Sequence, residues 1–183
     1  ASDVYKRQAK LIYAGSSTKF SDNGADASPY AFTKAQNTQL VMNYNKWYDI
    51  DYAITYFYNV YGGREISEGK YATLIALFKE KVKKGENLQV VLPGTQKRNF
   101  THVDDIVEGF IKAINKNSKF SGVIQLGPNF STSIAEIAQR IVLLSEKNIS
   151  INLDKSKPEG DVDRMAHNTR AKNLLDWSQK VNL

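Results

Sequence analysis

The chain has 183 residues, with 25 lysines and arginines against 19 aspartates and glutamates, so its formal net charge is +6 at pH 7. Apolar residues make up 42% and charged residues 24% of the sequence, which excludes a wholly disordered or fibrous chain. No apolar run approaches the roughly 18 residues that a membrane-spanning helix needs. The absence of cysteine excludes disulfides and thiolate metal sites and fits a reducing compartment. We therefore expect a cytoplasmic protein with neither a metal centre nor membrane contact.

The basic charge is densest at the end of one predicted helix. Lys79, Lys81, Lys83 and Lys84 stand directly before Gly85, a residue that commonly ends helices. Cations suit the last turn of a helix, so this pattern favours a solvated helix end over a nucleic-acid patch. A basic surface would also suit a small anionic substrate. A basic binding module remains the alternative outside enzymes.

The predicted elements alternate between strand and helix along nearly the whole chain. The first eight residues, at 1–8, show no clear period, and we expect them to be foreign to the fold. Strands are predicted at 11–14, 52–58, 89–92, 123–126 and 149–153, and helices at 29–44, 71–84, 103–114 and 133–144, with a last short helix capped by Asn168 and ending at Trp177. Ser28 and Ser133 are the predicted caps of the helices at 29–44 and 133–144. This alternation predicts an α/β fold with a largely parallel sheet.

The helix at 103–114 has a clear apolar period. Its spacing predicts that four side chains face inward, namely Ile106, Val107, Phe110 and Ile114. Asp104 and Asp105 fall in its first turn, where carboxylates suit the helix dipole.

Tyr30 and Lys34 lie four residues apart in the helix predicted at 29–44, so both side chains project from one face. A phenol titrates near pH 10, so lowering its pKa enough for use as a base near pH 7 takes roughly 4 kcal/mol. A cation about 4 Å away supplies an interaction energy of that order. The pair can also arise by chance in a chain with 10 tyrosines. Alone, it is more typical of a packed helix aromatic beside a lysine whose stem lies along the surface.

Hydroxyl side chains follow the first predicted strand, in the run Gly-Ser-Ser-Thr at 15–18. Ligands of open α/β sheets bind beyond the carboxyl ends of the strands. Ser16 or Thr18 could therefore hydrogen-bond the same substrate oxygen that Tyr30 deprotonates. A polar exit from a strand is the simpler alternative.

Four motifs in one order resemble a known family. They are Gly-Ser-Ser-Thr at 15–18, Ser-Pro-Tyr-Ala-Phe-Thr-Lys at 28–34, Tyr-Phe-Tyr-Asn-Val-Tyr-Gly at 56–62 and Arg-Asn-Phe-Thr-His-Val-Asp-Asp at 98–105. Together they resemble the extended short-chain dehydrogenase/reductases, and within them the NAD-dependent sugar-nucleotide epimerases and dehydratases of the UDP-glucose 4-epimerase type. The resemblance covers about residues 10–177.

The resemblance implies a role for each matching residue near the cofactor. Tyr30 would be the acid/base, and Lys34 would favour its phenolate and bind the nicotinamide ribose. Ser16 falls at the position of the family's catalytic serine or threonine, with Thr18 as a second hydroxyl. Phe57 would contact the cofactor, which the resemblance gives as NAD, with NADP not excluded.

The substrate residues implied by the resemblance come later in the chain. Asn59 and Arg98 match residues that bind the substrate diphosphate, a task for which a guanidinium fork is well suited. Asp161 falls where similar proteins hold the nucleotide ribose. His102 is interpreted as a packing residue at the start of a helix rather than as a catalytic group.

Two departures from the family pattern matter. Tyr56 stands where the family usually has arginine, and the family's Gly-x-x-Gly-x-x-Gly turn appears nowhere in the sequence. That turn brings a helix N-terminus to the cofactor pyrophosphate. The resemblance therefore implies that residues 9–183 form a partial Rossmann-like, doubly wound parallel sheet with a small α/β C-terminal substrate lobe. We expect this partial domain to lack activity by itself and to bind NAD no more tightly than millimolar.

The resemblance implies epimerisation of a nucleotide sugar by transient hydride transfer in a parent protein. Similar dehydratases have Asp-Glu directly after the catalytic threonine, whereas Ser17, Thr18 and Lys19 follow Ser16 here. Epimerisation is therefore preferred, and a dehydratase or ketoreductase of the same family remains the alternative. The expected partners are a nucleotide-sugar substrate and a second copy of the chain, with no nucleic acid and no membrane.

Overall fold

The computed structural model describes residues 10–20, 28–69, 71–116, 120–156 and 163–183. The helices are α1 (Pro29–Tyr48), α2 (Leu74–Lys84), α3 (Val103–Asn115), α4 (Ile134–Ser145) and α5 (Thr169–Leu175). The strands are β1 (Leu11–Ser16), β2 (Tyr52–Phe57), β3 (Val60–Tyr61), β4 (Leu88–Val91), β5 (Lys97–Arg98), β6 (Thr101–His102), β7 (Gly122–Leu126), β8 (Thr132–Ser133), β9 (Ile151–Asp154) and β10 (Asp163–Arg164). None of the helices in these ranges is long and apolar enough to cross a bilayer.

The main sheet has the order β1-β2-β7, and both strand pairs are parallel. Ser16 at the end of β1 lies opposite Phe57 at the end of β2, and Phe57 lies opposite Leu126 at the end of β7. The carboxyl ends of the three strands therefore meet at one edge of the sheet. The predicted parallel α/β fold is confirmed.

Helices cover both faces of this sheet, as in a doubly wound fold. On one face, Val41 of α1 packs in a cluster with Ile54 and Tyr56 of β2. On the other face, α3 and α5 pack against β2 and β7. The fully buried side chains of that second cluster include Trp177, whose indole Nε1 donates to the Asp105 carbonyl oxygen at 2.8 Å. The aromatic ring and its satisfied N–H fasten the segment after α5 to α3.

A smaller α/β unit follows the main sheet in the chain. Strands β4 and β9 form a parallel pair, covered by α2 and α4. Its core contains the buried side chains of Phe78, Leu88, Val90 and Ile137. This unit corresponds to the small α/β lobe that the resemblance implies. The residue range 9–183 proposed for the partial domain includes segments outside the described residues.

Two helix starts follow the predicted caps. The Ser28 hydroxyl accepts the backbone N–H of Ala31 at 3.1 Å, and the Ser133 hydroxyl accepts that of Glu136 at 3.1 Å. Each bond satisfies one of the unpaired N–H groups in a first helical turn. Helix α1 continues to Tyr48, beyond the predicted end at residue 44, and stops at Asp49 in the left-handed conformation.

Helix α3 is rotated relative to the predicted inward face. Val107 and Ile114, which were expected to point inward, are half exposed, whereas Asp105, Gly109 and Ala113 are buried. The physical reason is that the C-terminal segment packs on this side of α3. The Asp105 carboxylate accepts the backbone N–H groups of the two residues at 180–181, at 3.1 and 3.0 Å.

Asn168 is the N-cap residue of α5, as predicted, although the helix ends at Leu175 rather than at Trp177. Its side chain makes no capping hydrogen bond. Instead, its amide donates to the Gly127 carbonyl oxygen at 3.0 Å. The predicted place of His102 at the start of a helix is confirmed, because its Nδ1 accepts the N–H of Asp104 at 3.3 Å and its ring packs 5.2 Å from that of Tyr61.

Candidate active site

Tyr30 lies in the first turn of α1 with 56% of its surface exposed, so its phenol is accessible. Pro29 occupies the first position of the helix, where a missing N–H costs nothing. One turn later, the Lys34 Nζ lies 6.0 Å from the centre of the Tyr30 ring. The two side chains share one helix face, as their spacing predicts.

Lys34 also connects α1 to the main sheet. Its Nζ donates to the Ala14 carbonyl oxygen at 3.0 Å and lies 5.3 Å from the centre of the Tyr13 ring. Ala14 is two residues from the carboxyl end of β1. This bond places the start of α1, and with it Tyr30, beside the edge of the sheet where ligands of such folds bind.

The two predicted hydroxyl residues are brought together at that edge. Thr18 donates its hydroxyl to Ser16 Oγ at 3.0 Å, and its backbone N–H approaches the same oxygen at 3.3 Å. Both residues are partly buried, and Ser17 between them is buried. Because Ser16 Oγ accepts from Thr18, its own proton remains available to donate to a ligand oxygen.

The residues at the end of β1 fit the nicotinamide end of a dinucleotide. They supply an exposed phenol, an ammonium group and a hydroxyl pair around the carboxyl end of one parallel strand. Phe57 does not join them, because its ring packs on the α3 face of the sheet, 6.3 Å from the Phe110 ring. Successive strand residues point to opposite faces, which separates Phe57 from the α1 face where Tyr56 lies.

Asn59 and Arg98 line one cavity of about 240 Å³. Asn59 comes two residues after the end of β2 and adopts the left-handed conformation, with φ 35°. Arg98 ends the short strand β5, which pairs with β8 and β10. The remaining walls combine apolar side chains with two primary amides, namely Leu74, Phe78, Gln89, Val91, Gln96, Phe100 and Ile134. An apolar pocket with a few convergent polar groups is typical of small-molecule sites.

The two groups of residues share one edge of the molecule. Ser16 lies opposite Phe57 in the parallel ladder, and Asn59 comes two residues after Phe57. The hydroxyl pair and Asn59 therefore follow neighbouring strands at the same sheet edge. Asp161, predicted to hold a ribose, lies outside the described residues.

A larger cavity of about 1090 Å³ lies between α2 and α4 and contains none of the predicted site residues. Tyr61 lies on its wall, and its hydroxyl donates to the Asn182 carbonyl oxygen at 3.3 Å. Burial raises the pKa of the Tyr61 phenol, and the carboxylates of Asp105 and Glu65 raise it further. The phenol therefore stays protonated as a donor that holds the C-terminal segment.

Sequence reasoning missed Asn99, which is fully buried behind Arg98. Its side-chain amide donates to the carbonyl oxygens of Pro128, at 3.1 Å, and Phe130, while its Oδ1 accepts the Ala166 N–H at 2.7 Å. The Arg-Asn-Phe motif pointed to this position, but no local pattern reveals partners that lie about 30 and 67 residues away.

Comparison with known proteins places the chain in a family. Residues 2–127 match the model of the NAD dependent epimerase/dehydratase family. UDP-glucuronic acid decarboxylase 3 of Arabidopsis thaliana is 30% identical over 145 residues, covering 79% of this chain and 41% of that protein. UDP-glucuronate 4-epimerase of Thermodesulfobacterium geofontis is 29% identical over 180 residues, covering 94% and 53%. The chain thus spans about half the length of these relatives.

Solved structures show the same fold. The UDP-glucuronic acid 4-epimerase of Bacillus cereus in complex with UDP-glucuronic acid and NAD superimposes with a TM-score of 0.83 at 25% identity, covering 98% of this chain and 60% of that one. The UDP-N-acetylglucosamine 4-epimerase of Methanobrevibacter ruminantium M1 gives a TM-score of 0.85 at 23% identity, covering 93% and 57%. With the family match over most of its length and this shared architecture, the chain belongs to the NAD dependent epimerase/dehydratase family.

Proposed function

We propose that this chain forms part of an NAD-dependent epimerase of nucleotide-activated sugars, and that the activity belongs to a longer protein that contains it. The observation that carries the proposal is the accessible Tyr30 phenol beside Lys34, fixed to the carboxyl end of β1 by the bond to Ala14. The family match, and relatives named as UDP-sugar epimerases, support the same reaction class.

In the proposed reaction, Tyr30 takes the proton of a sugar hydroxyl and later returns it. Lys34 places an ammonium group 6.0 Å from the centre of the Tyr30 ring, on the same helix face. Ser16, with its proton available, donates a hydrogen bond to the reacting sugar oxygen, and Thr18 holds Ser16 in place. These groups bind the sugar alcohol and hold its proton at the phenol oxygen.

The chemistry that NAD supplies when bound is the reversible removal of hydride from the sugar. Lys34 would hold its ribose at the carboxyl end of β1. The pyrophosphate needs donors that we assign to the rest of the longer protein, because the glycine-rich turn is absent from this sequence. The packing of Phe57 toward α3 gives no support to its predicted cofactor role.

Asn59 and Arg98 would bind the substrate diphosphate. Their shared cavity supports this role, because an amide and a guanidinium are donors suited to phosphate oxygens. The apolar floor formed by Phe78 and Phe100 would take the adjoining part of the nucleotide.

Epimerisation is favoured over dehydration by the residues around Ser16. Loss of water from the sugar needs an additional acid and base near the hydroxyl residues. Ser17 and Thr18 provide no carboxylate there. Relatives named as dehydratases show that the fold itself accommodates both reactions.

We also propose that the protein forms a homodimer through α1 and acts in the cytoplasm. The outer face of α1 carries large half-exposed apolar side chains, namely Phe32, Leu40, Tyr44, Trp47 and Tyr48. The rings of Tyr44, Trp47 and Tyr48 contact one another, and an exposed aromatic cluster of this kind is typical of a protein interface. The cytoplasmic location rests on the absence of cysteine, which fits a reducing compartment.

Replacement of Tyr30 by phenylalanine in the longer protein tests the proposal. Because the acid/base group is lost, we expect turnover of the sugar nucleotide to fall about 10²- to 10⁴-fold. Binding of the sugar nucleotide should stay nearly unchanged, since the ring is kept. Tyr44→Phe is the matched control on the same helix and should leave turnover unaltered. Unaltered turnover by Tyr30→Phe would contradict the assignment.

A further inference from the structure

We propose that Asn99 is the positioning residue of the nucleotide site, holding Asn59 and Arg98 in their binding arrangement. This inference rests on the proposed function and adds a residue that touches neither substrate nor cofactor. Asn99 is fully buried and lies next to Arg98 in the chain.

The backbone of Asn99 orients Asn59 directly. The Asn59 side-chain amide donates to the Asn99 carbonyl oxygen at 2.8 Å, and Asn59 itself is held in the left-handed conformation. The backbone N–H of Thr101 approaches the Asn59 carbonyl oxygen at 3.4 Å. The orientation of Asn59 therefore depends on where the segment at 98–101 lies.

The side chain of Asn99 fixes that segment from two sides. Its amide nitrogen donates to the carbonyl oxygens of Pro128, at 3.1 Å, and Phe130, in the loop after β7. Its oxygen accepts the backbone N–H of Ala166 at 2.7 Å, in the segment after β10. Strand β10 pairs with β5, with residue 164 opposite Arg98. One amide group thus joins the segment that carries Arg98 to the loop after β7 and to the segment after β10.

Only a group that both donates and accepts can make this set of bonds. The amide uses both N–H donors and its oxygen, whereas a carboxylate of the same shape would face two carbonyl oxygens without a proton. Buried in that position, an aspartate would carry a raised pKa, because desolvation and the carbonyl dipoles both disfavour its charge. Its protonated form could again donate to one carbonyl oxygen.

In Asn99→Asp, the hydrogen bonds that this side chain makes to the carbonyl oxygens should therefore depend on pH. We expect calorimetric titration with UDP to show affinity at least tenfold weaker than that of the unaltered chain at pH 8. At pH 5.5 the ratio of the two dissociation constants should fall to about threefold or less. Because the variant and the unaltered chain are compared at the same pH, the protonation of UDP itself cancels in the ratio. Circular dichroism melting at both pH values reports whether the variant is folded.

Asn45→Asp is the matched control. The Asn45 amide also donates to a carbonyl oxygen, that of Ile50 at 3.0 Å, but at the opposite end of β2. This variant should lose thermal stability without any pH-dependent change in the affinity ratio. If Asn99 has only a structural role, Asn99→Asp should behave in the same way as this control, with lower stability and an unaltered ratio of UDP dissociation constants. That result would overturn the proposal.

Amide exchange provides a second measurement in case Asn99→Asp unfolds at pH 8. In the unaltered chain, saturation with UDP should slow hydrogen exchange at the Ala166 amide, which donates to Asn99, as followed by NMR. Unchanged exchange at Ala166 with UDP bound would contradict the coupling through Asn99. Absence of UDP binding by the unaltered chain would instead contradict the proposed nucleotide site, and with it the role of Asn99.

Discussion

Glu108 of α3 shows how single charges connect this helix to the C-terminal segment. Its carboxylate lies 2.7 Å from the Lys180 Nζ and 3.0 Å from the Lys112 Nζ. The hydrogen bond from Lys180, followed by that from Lys112, lowers the pKa of Glu108 below its ordinary value. The same contact raises the pKa of Lys180.

A pH titration tests this ion-pair group. Because the folded-state pKa of Glu108 is lowered, its contribution to stability is present above the unfolded pKa, about 4.3, and is lost as the pH falls through the lower folded value. We expect the NMR titration midpoint of Glu108 to lie below that of an exposed glutamate and to move up in Lys180→Ala. Lys172→Ala, on the neighbouring α5, should leave the midpoint in place. A midpoint that Lys180→Ala does not move would contradict the contact.

Helix α3 depends on one glycine for its close approach to the sheet. A Cβ atom built at Gly109 would lie 2.8 Å from both Leu126 Cδ atoms and 2.9 Å from the Trp177 Nε1. Both neighbours are fully buried, so neither can move without disturbing the core. The close packing of α3 against Leu126 and Trp177 therefore requires glycine at position 109.

Gly109→Ala should destabilise the protein although alanine is the better helix former. The helix-propensity gain is about 1 kcal/mol, but overpacking of a tight core costs about 1–3 kcal/mol, so we expect a net loss in the free energy of unfolding measured with urea. Gly63→Ala is the control, because a Cβ atom added at Gly63 would meet nothing within 4 Å. A Gly109→Ala variant as stable as the unaltered chain would show that α3 shifts freely.

At the scale of the whole molecule, the unpartnered face of α1 is the feature that the described fold leaves unexplained. Trp47 and Tyr48 at its end are 59% and 60% exposed, and their rings cluster with that of Tyr44. Aromatic side chains of this size are enriched at protein interfaces. In the proposed dimer, a second copy of the chain covers this face.

Sedimentation velocity tests the proposed dimer. The mass of one chain is 20.6 kDa, and we expect the unaltered chain at micromolar concentration to sediment as a dimer. Trp47→Glu should sediment as a monomer, because burying an unpaired charge in an apolar interface is costly. Tyr71→Glu is the control, since Tyr71 is 78% exposed and lies outside α1. A monomeric unaltered chain, or a dimeric Trp47→Glu variant, would contradict the interface.

The sequence by itself determined the longer helices and strands and the Tyr30–Lys34 pair, but not the two-residue strands. Alternating apolar strands and amphipathic helices, with Ser28 and Ser133 as caps, predict a parallel α/β fold, because these signals depend on residues within one or two turns. The i, i+4 spacing likewise fixes which helix face carries the phenol and the amine. Four motifs in order then identified the family.

Only the tertiary structure decided how distant segments meet. That Asn59 and Arg98 line one cavity, that Asn99 holds three segments together, and that Phe57 faces α3 all depend on contacts across tens of residues. The rotation of α3 has the same origin, because the C-terminal segment buries Asp105 and turns Val107 outward. Periodicity within a helix reports that one face is buried, but the partner that packs on the helix decides which side chains form that face.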